Sequence, residues 1–262
     1  DCSDPVIHLD RDRTQLRPRH LIGYMRAPNL RTIFIEARGP TILLESNQNS
    51  QTTIQHQPTT IHVNVRSKTS VHTDSEISAI AVKHSDTVAA TVDKLRIQTT
   101  YNTESTHHVG LLLRIANLKI YPLETEPFVV EKAETTIQVR NAPSEPAANA
   151  IDWMKAAANQ STMFDIEQFN TRYGAAELTA QGAFKLEETG MIEGSLQTRI
   201  TNLSALLQDL QRRHVLTPKN AQAATSLLGI FDNGSGVAAD LRFQNQKMYW
   251  GPVKLGDQTP LF

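Results

Sequence analysis

"TVAATVDKLRIQTTY", residues 87–101, decides the fold class. Val88, Ala90 and Val92 keep one apolar phase, the phase then moves by one position, and Leu95 and Ile97 carry it on. A period of two puts apolar side chains on one face of a strand and polar ones on the other. The next run, "VGLLLRIANLKI" at 109–120, behaves in the same way: Val109, Leu111, Leu113 and Ile115 give way to Leu118 and Ile120. A one-residue slip turns a whole apolar set to the wrong face, so each shift predicts a bulge that restores the inward direction. Shifts at a similar place in consecutive runs predict neighbouring strands of one curved antiparallel sheet.

Outward from this stretch, residues 33–139 read as strands, with Ile61, Val63 and Val65 alternating against His62, Asn64 and Arg66. On the other side, Leu178, Ala180, Gly182, Phe184 and Leu186 oppose Glu177, Thr179, Gln181 and Lys185. After "EETG", Ile192, Gly194, Leu196, Thr198 and Ile200 repeat that pattern, which predicts a hairpin with one apolar and one wet face. Between these parts lies "NAPSEPAANAIDWMKAAANQ", residues 141–160, where Ser144, Glu145 and Pro146 suit a helix start and Ile151, Met154 and Ala158 share a helical face. Asn202 is expected to cap a helix carrying Leu203, Leu206, Leu207 and Leu210, and Thr217-Pro218 to open a second one ending near Phe231. A last hairpin, "VAADLRF" and "MYWGPVKLG", closes the chain, with Pro252 marking an edge strand or bulge. The expected fold is mainly β (α+β): a long curved antiparallel β-meander with a short mid-chain helix and a C-terminal helix pair packed on the sheet. Its parts are a β region at 1–140, a helical joint at 141–160, and a hairpin, helix pair and closing hairpin at 161–262, compatible with one continuous domain.

Bulk properties narrow the function classes. The 262 residues are 39% hydrophobic, enough for a substantial core, and 26 Lys plus Arg balance 27 Asp plus Glu. No global field draws such a chain to nucleic acid, so no nucleic-acid partner is expected. Its longest apolar runs carry charges and fall short of a membrane helix, so no span is expected within the chain. Asp1 rather than Met opens the sequence, as in a mature or trimmed product whose signal or anchor would not be seen. Cys2 is the only cysteine, which excludes an internal disulfide and is read as a small apolar residue.

Catalytic and metal motifs are not found. The nine histidines include no helical i, i+4 pair and no His-Glu-x-x-His, and only His62 and His72 are placed to meet across a hairpin. There is no Gly-x-Ser-x-Gly elbow, and "DNGSG" lacks the strand-to-helix setting of a phosphate loop. The acidic pairs Asp10 with Asp12 and Glu187 with Glu188 are read as loop carboxylates, and "RDRTQLRPRH" at 11–20 as a solvated edge or turn. No cofactor, no metal and no enzymatic activity are expected.

The ordered motifs "CSDP" at 2–5, "EARGP" at 36–40, "AELTAQGAFKLEETGMIEGSLQTRITNLSALLQDL" and the final "MYWGPVKLGDQTPLF" resemble those of the alphaproteobacterial envelope proteins grouped as domain of unknown function 2125. Two departures stand out. The membrane anchor and additional β structure that usually precede the cysteine are not seen, and the closing motif is poorer in proline. The resemblance implies a periplasmic protein, anchored to the inner membrane through a segment outside this chain. It also implies a β-meander similar to that of AsmA-like envelope proteins, whose curved sheets suit lipid acyl chains.

On this reading the apolar hairpin face is the candidate ligand groove, with Leu178, Phe184, Leu186, Ile192, Leu196 and Ile200 as lining residues. The leading expectation is a non-enzymatic envelope protein handling a lipid or another apolar ligand. The alternative is an assembly module whose apolar face is sealed by the helix pair and whose outer face binds an envelope protein partner. A hydrolase with an unrecognised site is the least supported.

Overall fold

The structure, a computed structural model, describes residues 2–3, 7–9, 14–26, 29–45, 50–67, 69–84, 87–102, 108–122, 126–143, 150–213 and 236–262, with Thr217, Gln222 and Ser226 singly. In chain order the strands are β1 (Cys2–Ser3), β2 (Ile7–Leu9), β3 (Thr14–Arg26), β4 (Asn29–Glu45), β5 (Ser50–Gln55), β6 (Thr59–Ser67), β7 (Ser70–His84), β8 (Thr87–Asn102), β9 (His108–Ile120) and β10 (Phe128–Arg140). Helix α1 (Ala150–Asn159) leads to β11 (Met163–Tyr173), β12 (Ala176–Leu186) and β13 (Ile192–Thr201). Helix α2 (Leu203–Arg212) follows, and β14 (Val237–Gln244), β15 (Lys247–Trp250) and β16 (Val253–Asp257) close the chain. All these strands join a single antiparallel sheet in nearly sequential order, as the meander reading requires. β5 and β6 lie end to end between β4 and β7, and β10 pairs directly with β11, so the sheet continues past residues 141–160.

The phase shifts that defined the fold are present, and their mechanism is not the expected one. Val92 pairs with Leu118 and Lys94 with Ala116, so the register between β8 and β9 runs on unbroken across the shift. Ile80 against Val92 and Ser78 against Lys94 show the same on the β7 side. Each strand changes phase at the same level instead of one strand bulging against another. Ala79 in β7 and Asn117 in β9 adopt the left-handed conformation there, both at φ 51°, and the Asn117 amide donates to Asp93 Oδ2 at 2.8 Å. The resulting line of kinks crosses the sheet, and the apolar residues return to the same face beyond it.

Asparagine tolerates that backbone conformation, whereas alanine pays a steric cost of roughly 1–2 kcal/mol. Ala79→Gly is therefore expected to raise unfolding stability by about 1 kcal/mol, measured as a higher denaturant midpoint with an unchanged slope.

Three local expectations are corrected. Asn202 precedes α2 in the left-handed conformation and makes no side-chain cap; its amide instead donates to the Ala175 carbonyl at 2.8 Å. Ile151 faces outward, 43% exposed, while Ala157 and Ala158 are buried and Trp153 packs edge-on against Phe164. Gly251-Pro252 does not interrupt a strand. Trp250 pairs with Val253, so the pair is the turn between β15 and β16 and the chain doubles back. The preceding turn is the expected one, with Asn245 and Gln246 both at positive φ, as a two-residue hairpin requires. The proposed helix start at Ser144–Pro146, the "DNGSG" glycine turn up to Ser235 and nearly all of the second helix of the pair lie outside the described residues.

Among the described residues most buried apolar side chains fall in two small clusters, and Ile80 in β7 is buried apart from both. Val139, Ala157, Ala158, Leu186 and Met191 pack where α1 lies at one end of β10–β13, and Ala176, Leu207 and Val237 pack where α2 lies at the other. Both helices make their main contacts with β12. From β3 to β9, by contrast, the principal contacts of each strand among the described residues are with its hydrogen-bonded neighbours, and no described element forms a second layer there. The accessible surface of 15842 Å² exceeds the roughly 11,500 Å² of a compact chain of this mass.

Candidate functional site

Directly paired residues in an antiparallel sheet project to the same side, so the register defines the face that each row of side chains occupies. One row starts at Met25 and passes through Ile33, Val63, Thr73, Thr99 and Leu111. It continues through Ile137, Ile166, Gly182, Leu196, Leu241 and Trp250. The rows beside it run from Ile35 through Ile97 and Leu113 to Ala239, and from Val65 through Val139 and Phe184 to Met248. None of the three contains an Asp, Glu, Lys or Arg. An uncharged face thus extends from β3 to β15, and most of its side chains are half-buried.

The opposite face carries the charges, paired across strands. Arg96 holds Asp74 through two bonds of 3.0 and 2.8 Å, Arg140 holds Asp165 at 2.6 and 2.8 Å, and Lys185 meets Glu193 at 2.7 Å. The Arg96 hydrogen bonds hold the Asp74 carboxyl below its usual range despite partial burial. Such exposed pairs contribute little to stability individually. Their significance is the concentration of charge on one side.

The structure brings together the six residues singled out from the hairpin pattern. Leu178 pairs with Ile200 and Leu186 with Ile192, while Leu196 stands opposite Gly182 and Phe184 opposite Gly194. Phe184 stacks on Phe164 with ring centroids 5.1 Å apart. Leu186 belongs to the packed cluster at α1, at 4% exposure, and the other five are half-buried. The pattern also ran through β8–β10, and Ile97, Leu113 and Ile137 belong to the same face although the sequence reading did not place them in the groove.

The family model described as "Uncharacterized protein conserved in bacteria (DUF2125)" matches residues 1–258. The chain belongs to the DUF2125 family. No curated protein and no solved structure matches it.

Where α2 meets the sheet, the DUF2125 chain has a polar cluster that the sequence did not reveal. The Tyr173 hydroxyl donates to Asp209, which also accepts from Arg213 Nε at 2.7 Å and from Arg212 at 2.5 Å. Arg213 lies over the Phe128 ring, 5.0 Å from its centre, and donates to the carbonyls of Glu126 and Pro127 at 2.8 and 3.0 Å. These groups border a cavity of about 300 Å³. Burial alone would raise the Asp209 pKa, but the bonds from Tyr173, Arg213 and Arg212 outweigh it and bring the value down to about 2. Every polar group here is engaged in docking the helix, which is what the cluster does.

A carboxylate with a depressed folded-state pKa stabilises the fold above its unfolded pKa and loses that contribution as pH falls through the folded value. The Asp209 contribution, about 2 kcal/mol, is accordingly expected to be lost between about pH 4 and pH 2. Asp209→Asn should lower stability at pH 7 by a similar amount and flatten the acid limb of a stability-versus-pH curve.

A depression of about 480 Å³ lies over β11–β14, lined by Gln181, Gln197, Arg199 and Asp240 together with Phe169, Ala180, Thr198 and Ala239 of the uncharged row. Gln181, Gln197, Arg199 and Asp240 project to the charged side, so the depression is bordered by polar side chains as well as by that row. Its polar side chains Gln181, Gln197, Arg199 and Asp240 are exposed, and Gln181 donates to Gln197 at 3.1 Å, an ordinary surface bond. His62 and His72 do not meet either: His62 lies edge-on to Phe34 and His72 bonds Thr100 at 3.1 Å. Among the described residues no group of three His, Cys, Asp or Glu could hold a metal ion, and no helix is long and apolar enough to cross a membrane.

Proposed function

We propose that this DUF2125 protein is a non-enzymatic cell-envelope protein that holds lipid acyl chains, or another apolar ligand, along the uncharged face of its sheet. The observation that carries this reading is the uncharged face itself, running from Met25 to Trp250 across the strands. An ordinary core would be closed by a second layer. Here α1 and α2 sit at the two ends of β12, and among the described residues no second layer lies on β3 to β9. An apolar surface of that extent on a soluble protein calls for an occupant. Residence in the periplasm, with an inner-membrane anchor outside this chain, belongs to the same proposal and follows the resemblance of its end motifs.

The packed clusters under α1 and α2 favour one competing reading, an assembly module whose outer face binds a protein partner. Purification under native conditions, organic extraction and mass spectrometry separate the two. Lipid at near-stoichiometric yield is expected. A protein that is repeatedly free of lipid and detergent, with slow amide exchange along the whole inner face, would establish the assembly role instead.

A further inference from the structure

The uncharged face is not uniform. Its central row is hydrocarbon at Ile33 and Val63 on one side and at Leu111, Ile137 and Ile166 on the other, but where it crosses β7 and β8 it carries Thr73 and Thr99. Ser75 and Tyr101, in the rows to either side on the same two strands, add two further hydroxyls to this face. All four residues are half-buried.

The threonine pair keeps a hydrogen-bonding capacity that other hydroxyls of the face have used. Thr198 donates to the Ala239 carbonyl at 2.6 Å and accepts from Trp250 Nε1 at 2.7 Å, so it is satisfied within the sheet. Thr73 and Thr99 bond to each other, Oγ1 to Oγ1 at 2.6 Å. A hydroxyl carries one proton, so whichever threonine donates, the other keeps an O–H with no acceptor among the described residues. On a wetted face such a pair is an ordinary cross-strand contact. Here it lies within hydrocarbon surface, where a purely apolar ligand would strip the remaining donor of water and give nothing back. A carboxylate or phosphate fits no better, because the three uncharged rows hold no Lys or Arg to offset its desolvation. The ligand that fits has an uncharged acceptor at the threonines and hydrocarbon beyond them. From Leu111 in β9 to Leu196 in β13 the row runs on for about 19 Å at ordinary strand spacing, longer than the roughly 15 Å of one bilayer leaflet's hydrocarbon.

We propose that Thr73 and Thr99 hold the ester carbonyl of an ester-linked acyl lipid, whose chain lies along Leu111, Ile137 and Ile166. The inference rests on the acyl-chain reading and narrows it from apolar ligands in general to acyl esters. One threonine donates to the carbonyl oxygen; the other donates to the first and polarises that bond.

Displacement of diphenylhexatriene, a neutral hydrocarbon probe, from the full chain tests this. 1,2-Dioctanoylglycerol is compared with 1,2-di-O-octylglycerol, its ether analogue without carbonyls. A groove lacking the donor favours the ether, the less polar of the two. The wild type is expected to prefer the ester by roughly two- to tenfold, the contribution of one neutral hydrogen bond. Thr73→Val with Thr99→Val keeps the β-branched shape and should bring the ratio to one or below while the probe still binds. Thr73→Ser with Thr99→Ser should retain the preference, as should Thr100→Val on the charged side. A wild-type ratio at or below one, a preference that survives in the valine variant, or one lost in Thr100→Val would overturn the proposal and leave the acyl-chain reading standing. The wild-type ratio decides alone should the valine variant fail to fold. Failure of the probe and of both lipids to bind would defeat the acyl-chain reading and this inference with it.

Discussion

Gly194→Ala is expected to destabilise the protein by about 4 kcal/mol, lowering the melting temperature by roughly 8–16 °C. Gly194 stands in the row between Phe184 and Phe243 with φ 150°, a backbone conformation that residues with a side chain rarely adopt. An added Cβ would lie 2.3 Å from the Ala183 carbonyl oxygen and 2.6 Å from Phe184 Cα, both rigid backbone of the paired strand. Gly182, at φ 145°, faces the mirror-image problem against Ser195 and should behave alike. Gly23→Ala provides the contrast: nothing lies within 4 Å of its added methyl, so stability should change by less than about 0.5 kcal/mol. Thermal unfolding of the three variants checks both the clash and its location. The close approach at Gly194 also sets the position of Phe184, on which Phe164 stacks, and Trp153 of α1 packs edge-on against Phe164.

Leu113→Glu should remove bound acyl ligand by at least tenfold while costing only about 1–2 kcal/mol of stability. Leu113 lies in the uncharged row between Ile97 and Thr135, and among the described residues no second layer covers β9. In an open trough an unpaired carboxylate stays hydrated when the ligand is absent, and its desolvation opposes only the ligand. In a sealed core the same carboxylate would be buried in the native state, with a cost of several kcal/mol and a strongly raised pKa. Extracted lipid per protein and the denaturant midpoint, measured on one preparation, distinguish these outcomes.

The legible parts of this fold are those that local alternation controls. The β12–β13 register was readable because the period of two and the short "EETG" turn leave few alternatives, and Leu178 does face Ile200. The phase shifts in β8 and β9 were visible, but their cause was not: Ala79 gives no sign of a left-handed backbone, and kinks aligned across strands look like bulges in any one strand. The turn at Gly251-Pro252 was available from the dipeptide itself and was obscured by the apolar residues on both sides. The Tyr173–Asp209–Arg213 cluster joins groups 36 residues apart, and no local pattern announces such a contact. The extent of the uncharged face emerges only when every register is known, since each strand alone reads as an ordinary half-buried one.

Photocrosslinking in cells tests the central claim most directly. A photoreactive phenylalanine analogue placed at Ile97, Leu113 or Leu178 faces the uncharged side, and at Gln98, Arg114 or Thr179 the charged side. Adducts with the mass of membrane lipids are predicted at the first three positions and not at the second three. Adducts absent from the inner positions, or equally abundant on both faces, would contradict the account.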